Sequence, residues 1–220
     1  MSVTGAKDYQ SKSDLKNPLA GFEHISRYWD KNMQVPAAKI LPGECYVSDR
    51  GEMIVTVLGS CIAACVRDVK KGIGGMNHFM LPIQTGHHII TRANSVNPAL
   101  CYGNWAMEFL LNSILKLGGK RENFEVKLFG GGRVLSGMNN IDIGRKNIEF
   151  ALSFLKKEGL RVQSRDLGDE YPRKVLYFPD TGAVKLRKMR TVANDTVQKR
   201  EKAYFESMVK RPPTGDVELF

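Results

Sequence analysis

Apolar residues recur along this chain in two different periods, and the switch between them predicts its elements. Short β-type runs cover residues 44–47, 53–58, 62–66 and 72–81. They are separated by the turn sequence Asp49-Arg50-Gly51 and by the charged turn 67–71. Residues 83–99 are polar, with His87 and His88, and read as a loop. Helical spacing then begins near Leu100: Met107, Leu110, Leu111, Ile114 and Leu115 recur at three- and four-residue intervals, and Gly118-Gly119 ends the run. A strand over 124–129 is closed by Gly130-Gly131-Gly132. A second helix fits 144–157, with Ile148, Ala151, Leu152 and Leu155 on its apolar face and Gly159 at its C-cap. Strands over 160–167, 173–178 and 183–186 follow, the last two joined by Asp180-Thr181-Gly182.

Two segments fall outside this pattern. Residues 1–40 are polar and mixed, and read as a loosely attached extension in which Phe22, Ile25, Tyr28 and Trp29 form one short amphipathic turn. Residues 191–220 read as a basic C-terminal helix over 193–208 and a tail through Arg211-Pro212-Pro213. The domain proper is expected over 41–190. Eight strands in hairpin-like pairs with two core helices predict an α+β fold with a mixed, largely antiparallel sheet.

The 220 residues are 42% hydrophobic and 25% charged, ordinary values for a soluble globular domain. The start of the chain carries no signal-peptide pattern, and no apolar run reaches the ~18 residues of a membrane span. The expectation is a cytoplasmic protein without membrane insertion. Cys45, Cys61, Cys65 and Cys101 are then expected as reduced thiols. The net charge of +10 favours an acidic partner. Its densest part is Lys185, Arg187, Lys188 and Arg190, then Lys199, Arg200 and Lys202. Basic and aromatic residues are not interleaved and no nucleic-acid motif is present, so nucleic acid is not the expected partner.

The candidate chemistry lies in Leu58-Gly59-Ser60-Cys61 and in Gly74-Gly75-Met76-Asn77-His78-Phe79-Met80-Leu81-Pro82. Cys61 follows a Gly-Ser turn at the end of a strand. Gly59 and Ser60 permit a tight turn that exposes the sulfur and aims backbone N–H groups at a carbonyl oxygen. A thiol needs a base to take its proton, and an imidazole is the usual one. Alternation puts Met76, His78 and Met80 on one strand face, so His78 is either a buried structural histidine or a catalytic one. Thr56, on the strand leading into the turn, can hold the imidazole tautomer as third member of a triad. Three other readings stand beside this one. Cys61 in Cys-Ile-Ala-Ala-Cys could be a buried core cysteine. A zinc site could draw on Cys61, Cys65, His78 and His87 or His88, although the spacing fits no common ligand pattern. Gly130-Gly131-Gly132-Arg133 lacks the ending of a phosphate-binding loop and reads better as a turn.

Five blocks carry a resemblance. They are residues 58–65 (LGSCIAAC), 74–82 (GGMNHFMLP), 127–131 (KLFGG), 143–147 (IGRKN) and 166–168 (DLG). In this order they resemble the successive signatures of the CheD family, chemoreceptor glutamine deamidases of bacterial and archaeal chemotaxis. The likeness runs from about residue 42 to 190. The family reads Asp-Leu-Gly-Gly where this chain has Asp166-Leu167-Gly168-Asp169. The resemblance implies a three-layer α/β/β sandwich, shared with the deamidating cytotoxic necrotizing toxins. It implies Cys61 as nucleophile, His78 as general base and acid, Thr56 as third member, and neither metal nor organic cofactor. The implied substrate is a glutamine on the cytoplasmic helices of methyl-accepting receptors at the inner face of the membrane. A CheC-type phosphatase is a further implied partner, and a regulator that binds without turnover is the alternative role.

Overall fold

A computed structural model describes residues 15, 17–81, 98–134, 142–189 and 194–210. The expected polar loop with His87 and His88, Arg190, and the Arg211-Pro212-Pro213 tail lie outside the described residues. So does the N-terminal stretch before residue 15.

Ten strands form two five-stranded sheets. The first holds β1 (Ser26–Asp30), β2 (Val35–Lys39), β4 (Met53–Leu58), β9 (Arg173–Tyr177) and β10 (Val184–Lys188), in the order β1-β2-β4-β9-β10. The second holds β3 (Cys45–Ser48), β5 (Ile62–Asp68), β6 (Ile73–Asn77), β7 (Phe124–Gly130) and β8 (Val162–Leu167), in the order β3-β6-β5-β7-β8. Pairing is antiparallel except for β2 with β4 and β7 with β8. Helices α1 (Pro98–Lys116) and α2 (Ile143–Lys157) pack on the second sheet, and α3 (Asn194–Lys210) follows the last strand. The fold is α+β, with two mixed, largely antiparallel sheets.

Chain order hides the two-sheet arrangement. The strands flanking Asp49-Arg50-Gly51 do not pair with each other: β3 joins the second sheet and β4 the first. The chain then returns from β4 to β5 through Gly59-Ser60-Cys61, so this turn sits at the junction of the sheets. Alternation along β4 divides its side chains. Ile54 and Leu58 enter the main core with Ala63, Cys65, Met76 and Tyr177. Met53 and Val55 enter a smaller cluster with Ala37. Thr56 lies on the Ile54–Leu58 side and is buried there.

The extension expected over 1–40 is corrected in its last part. Tyr28 and Trp29 belong to a strand, not a helical turn, and residues 26–39 form a hairpin that pairs with β4. Asp30 builds its turn: Oδ1 accepts the amides of Asn32 and Met33, both at 3.0 Å. Pro36, opposite Trp29, breaks the strand signal in sequence. The segment is tied down by the buried Arg27–Glu52 pair, whose carboxylate also accepts from the Tyr46 hydroxyl at 2.6 Å. Phe22 and Ile25 enter the core.

Candidate active site

The turn after β4 is held from behind. All three of its carbonyls accept hydrogen bonds from one side: Gly59 O from Gly132 N at 2.7 Å, Ser60 O from Asn147 Nδ2 at 2.8 Å, and Cys61 O from Gly131 N at 2.8 Å. With the carbonyls so fixed, the N–H groups of Gly59, Ser60 and Cys61 converge on the other side. They meet one carboxylate, that of Glu201 on α3. Oε1 accepts from Gly59 N at 2.7 Å and Cys61 N at 3.4 Å; Oε2 accepts from Ser60 N and Ser60 Oγ, both at 2.8 Å. Converging backbone donors of this kind are an anion cradle and the working parts of an oxyanion hole.

Gly130-Gly131-Gly132, read in sequence as a plain turn, forms the back wall of this cradle. Asn147 of α2 is the other support. It is fully buried, and its Oδ1 accepts the Leu81 amide at 2.9 Å while its Nδ2 holds Ser60. One side chain thus couples the cysteine turn to the segment carrying the histidine. α2 starts where it must for this: Asp142 caps it by accepting Arg145 N at 3.0 Å.

His78 lies just beyond β6. Its backbone bonds toward β3, with His78 N to Glu44 O at 2.9 Å, and Phe79 bridges Ile62 of β5. The imidazole therefore reaches the first sheet, where Nδ1 lies 2.7 Å from Thr56 Oγ1. The Thr56 hydroxyl has a single proton and donates it to Ile40 O at 2.9 Å. Its oxygen is then left to accept, so Nδ1 carries the ring proton and Nε2 presents a lone pair. Nε2 is buried and has no hydrogen-bond partner among the described residues. A ring nitrogen of His78, Cys61 Sγ and a Glu201 oxygen all lie within 4.8 Å of one another.

Burial sets the charge state. It pushes the Cys61 thiol well above its usual range, and the Glu201 carboxylate adds to the rise by charge and hydrogen bond. Burial, and then the Arg200 charge, push His78 down to about 3. The pair rests as neutral thiol and neutral imidazole. Between pH ~6.5 and ~3 an unfolded chain binds a proton at this histidine that the folded protein refuses, so its contribution to stability is present above pH ~6.5 and lost on acidification. The expected slope is up to about 1.4 kcal/mol per pH unit. Urea unfolding of wild type and His78→Gln at pH 7, 5 and 4 checks it: the wild type loses more stability on acidification.

The structure brings Cys61, His78, Thr56, Gly59 and Ser60 into one site. It does not bring Cys65 there, and His87 and His88 lie outside the described residues. Cys61, His78 and Glu201 are metal-ligand types at short range. Both Glu201 oxygens, however, are already engaged by N–H and O–H donors, the coordination of a bound anion. A cavity of about 400 Å³ opens beside Thr56 and His78, with Lys39, Lys174 and Arg200 among its lining residues. Glu201 has no chemical motif around it in sequence. Its signal is an acidic residue inside an apolar helical stripe, Val197, Phe205 and Met208, all buried. Asn147 stands in one of the resembling blocks, but only the tertiary contact gives it a task.

A family model described as "CheD chemotactic sensory transduction" matches residues 80–188. Relatives extend the likeness across the site. A protein of Saccharophagus degradans bearing the name "Probable chemoreceptor glutamine deamidase CheD" is 56% identical over 216 residues, 97% of this chain and 99% of its own length. Proteins of the same name from Halorhodospira halophila and Hahella chejuensis are 55% and 47% identical, each over 92% of this chain and 93% of their own. With identity this high over nearly the whole length, cysteine turn and histidine strand included, this chain belongs to the CheD family.

Proposed function

We propose that this protein is a protein-glutamine deamidase that converts glutamines of methyl-accepting chemotaxis receptors to glutamate through a cysteine thioester. The observation that carries the reading is the Thr56–His78 hydrogen bond, which leaves Nε2 as the free base of a ring that lies close to a thiol whose turn presents three N–H donors.

The steps follow from that geometry. Nε2 takes the Cys61 proton, and Sγ bonds to the carboxamide carbon. The oxygen becomes an oxyanion on the N–H groups of Gly59, Ser60 and Cys61. The imidazolium returns its proton to the departing nitrogen, because an amide anion is too poor a leaving group; ammonia leaves and a thioester remains. Water, deprotonated by the same nitrogen, then hydrolyses the thioester to glutamate and free thiol. Acid–base help of this kind is worth ~10²–10⁴-fold. No step calls on a metal or organic cofactor.

Mass spectrometry of receptor peptides tests the reading. Wild type converts glutamine to glutamate and releases ammonia; Cys61→Ala does not. A regulator that binds receptors or a CheC-type phosphatase without turnover would keep its binding after alkylation of Cys61 and would release no ammonia before it. Thr56→Val keeps the shape of the side chain and removes the acceptor that holds Nδ1–H. Losing one such hydrogen bond, worth ~1–1.5 kcal/mol, predicts about a tenfold fall in kcat with little change in KM. The net charge of +10 also supports docking on acidic receptor helices, with a rate that falls as salt rises.

A further inference from the structure

Glu201 has no task in the reaction just described, yet its carboxylate is hydrogen-bonded to the three amides and the hydroxyl at the centre of that machinery. We propose that α3 is an internal product mimic: it seats the Glu201 carboxylate in the subsite where a substrate carboxamide is turned over, and it must leave before a substrate helix can enter. The meaning of that subsite rests on the deamidase reading above.

Three observations converge. The first is the identity of the group. A glutamine deamidase yields a glutamate side chain, and a glutamate side chain is what the cradle holds, both oxygens on N–H and O–H donors. The second is the fit of the cradle. A Cβ added to Gly59 would fall 2.7 Å from Glu201 Oε2 and 2.4 Å from Val134 Cγ2, so the bare backbone is what lets a carboxyl group approach. The third is the attachment of the helix. Val197, Phe205 and Met208 bury an apolar stripe on either side of Glu201, and Tyr204 hydrogen-bonds Tyr102 of α1. Lys199 and Lys202 lie off that stripe and are exposed. The occupant is therefore a helix that offers one carboxyl group from the centre of its apolar face.

The seated helix also holds the site at rest. Among the described residues Cys61 is completely buried and His78 nearly so, and Arg200 of α3 lines the cavity beside His78. Burial dominates both shifts, and Arg200 and Glu201 add to them unequally. The guanidinium opposes imidazolium formation, and the carboxylate opposes the thiolate more strongly than the guanidinium favours it. Undocking removes both charges and lets water reach the pair. A competitor carried on the same chain lowers the apparent affinity for substrate by the fraction of molecules left open, so release of a helix seated nine-tenths of the time or more raises kcat/KM about tenfold or more.

The test uses the full-length protein, iodoacetamide as the probe, and peptide mass spectrometry to follow Cys61 and position 201 separately. Glu201→Ala is expected to alkylate at Cys61 about tenfold faster than wild type or more. Equal rates overturn the proposal. Glu201→Gln turns the mimic into a substrate: Sγ bonds to the new carboxamide carbon, ammonia leaves with the His78 proton, and water restores the thiol, so a glutamate is regenerated at position 201. Conversion that disappears in the Cys61→Ala/Glu201→Gln double variant supports the proposal. A carboxamide that persists in Glu201→Gln with faster alkylation also supports it, because the helix has then left its seat. A persistent carboxamide with wild-type alkylation overturns it. If circular dichroism shows Glu201→Ala unfolded, Phe205→Ala takes its place, since it loosens the helix without touching the cradle, and the same rates decide. Alkylation needs no deamidation. A wild-type protein that leaves receptor glutamines intact defeats the deamidase reading alone.

Discussion

Cys61→Ala is expected to abolish ammonia release while leaving the fold in place. The sulfur is the only atom of the site asked to form a covalent bond, and removal of a nucleophile from a comparable catalytic unit costs on the order of 10⁴–10⁶ in kcat. What survives is the cradle and its binding, which do not by themselves attack an amide. The fold should tolerate the change because the turn is held by its backbone. Gly131, Gly132 and Asn147 bind the carbonyls of residues 59–61, and none of these bonds involves Sγ. The cost in stability is that of one small buried group, about 1 kcal/mol. Receptor peptides analysed by mass spectrometry, with urea unfolding of the same preparations, separate the two effects. A variant that folds and still deamidates at the wild-type rate removes Cys61 from the mechanism.

Gly130→Ala is expected to do the reverse and fail through the fold. Gly130 ends β7 with φ +116, a conformation that residues with a Cβ rarely adopt. A Cβ there would lie 2.0 Å from Cys61 O and 3.1 Å from Cys61 C, both backbone atoms. Neither can move alone, because Cys61 O is bonded to Gly131 N and Gly130 O accepts from Gly168 N at 2.9 Å. Conformational strain of ~1–3 kcal/mol adds to displacement of the cysteine turn, for a total of about 4 kcal/mol. Thermal unfolding should show this as a large fall in Tm. Any folded remainder should have lost activity as well, since the atom displaced belongs to the nucleophile's own residue.

The stripe of Met107, Leu110, Leu111 and Ile114 and the break at Gly118 were legible because local periodicity and capping operate within one helix. β4 and α2 were legible for the same reason. The hairpin of β1 and β2 was not. Its signal is five residues long on each side, one interrupted by Pro36, and its stability comes from pairing with β4 and from the Arg27–Glu52 contact. The pairing partners of β3 and β4 were also hidden, because a turn between two strands does not say whether they join one sheet or two.

For the site, residue order alone named the participants: a thiol after a Gly-Ser turn, an imidazole on a strand face, and a hydroxyl on the strand before. Those features depend on residue type and short spacing. Their arrangement came from the packing of the two sheets and the helices. It turned Thr56 and His78 toward each other across two sheets, and it fixed the ring tautomer through the Ile40 carbonyl. It also brought Glu201 from 140 residues away onto the Cys61 amide. The reason is physical. A carboxylate on a helix carries no mark of which backbone donors it will meet, and that meeting depends on how separate elements pack, which no local pattern encodes.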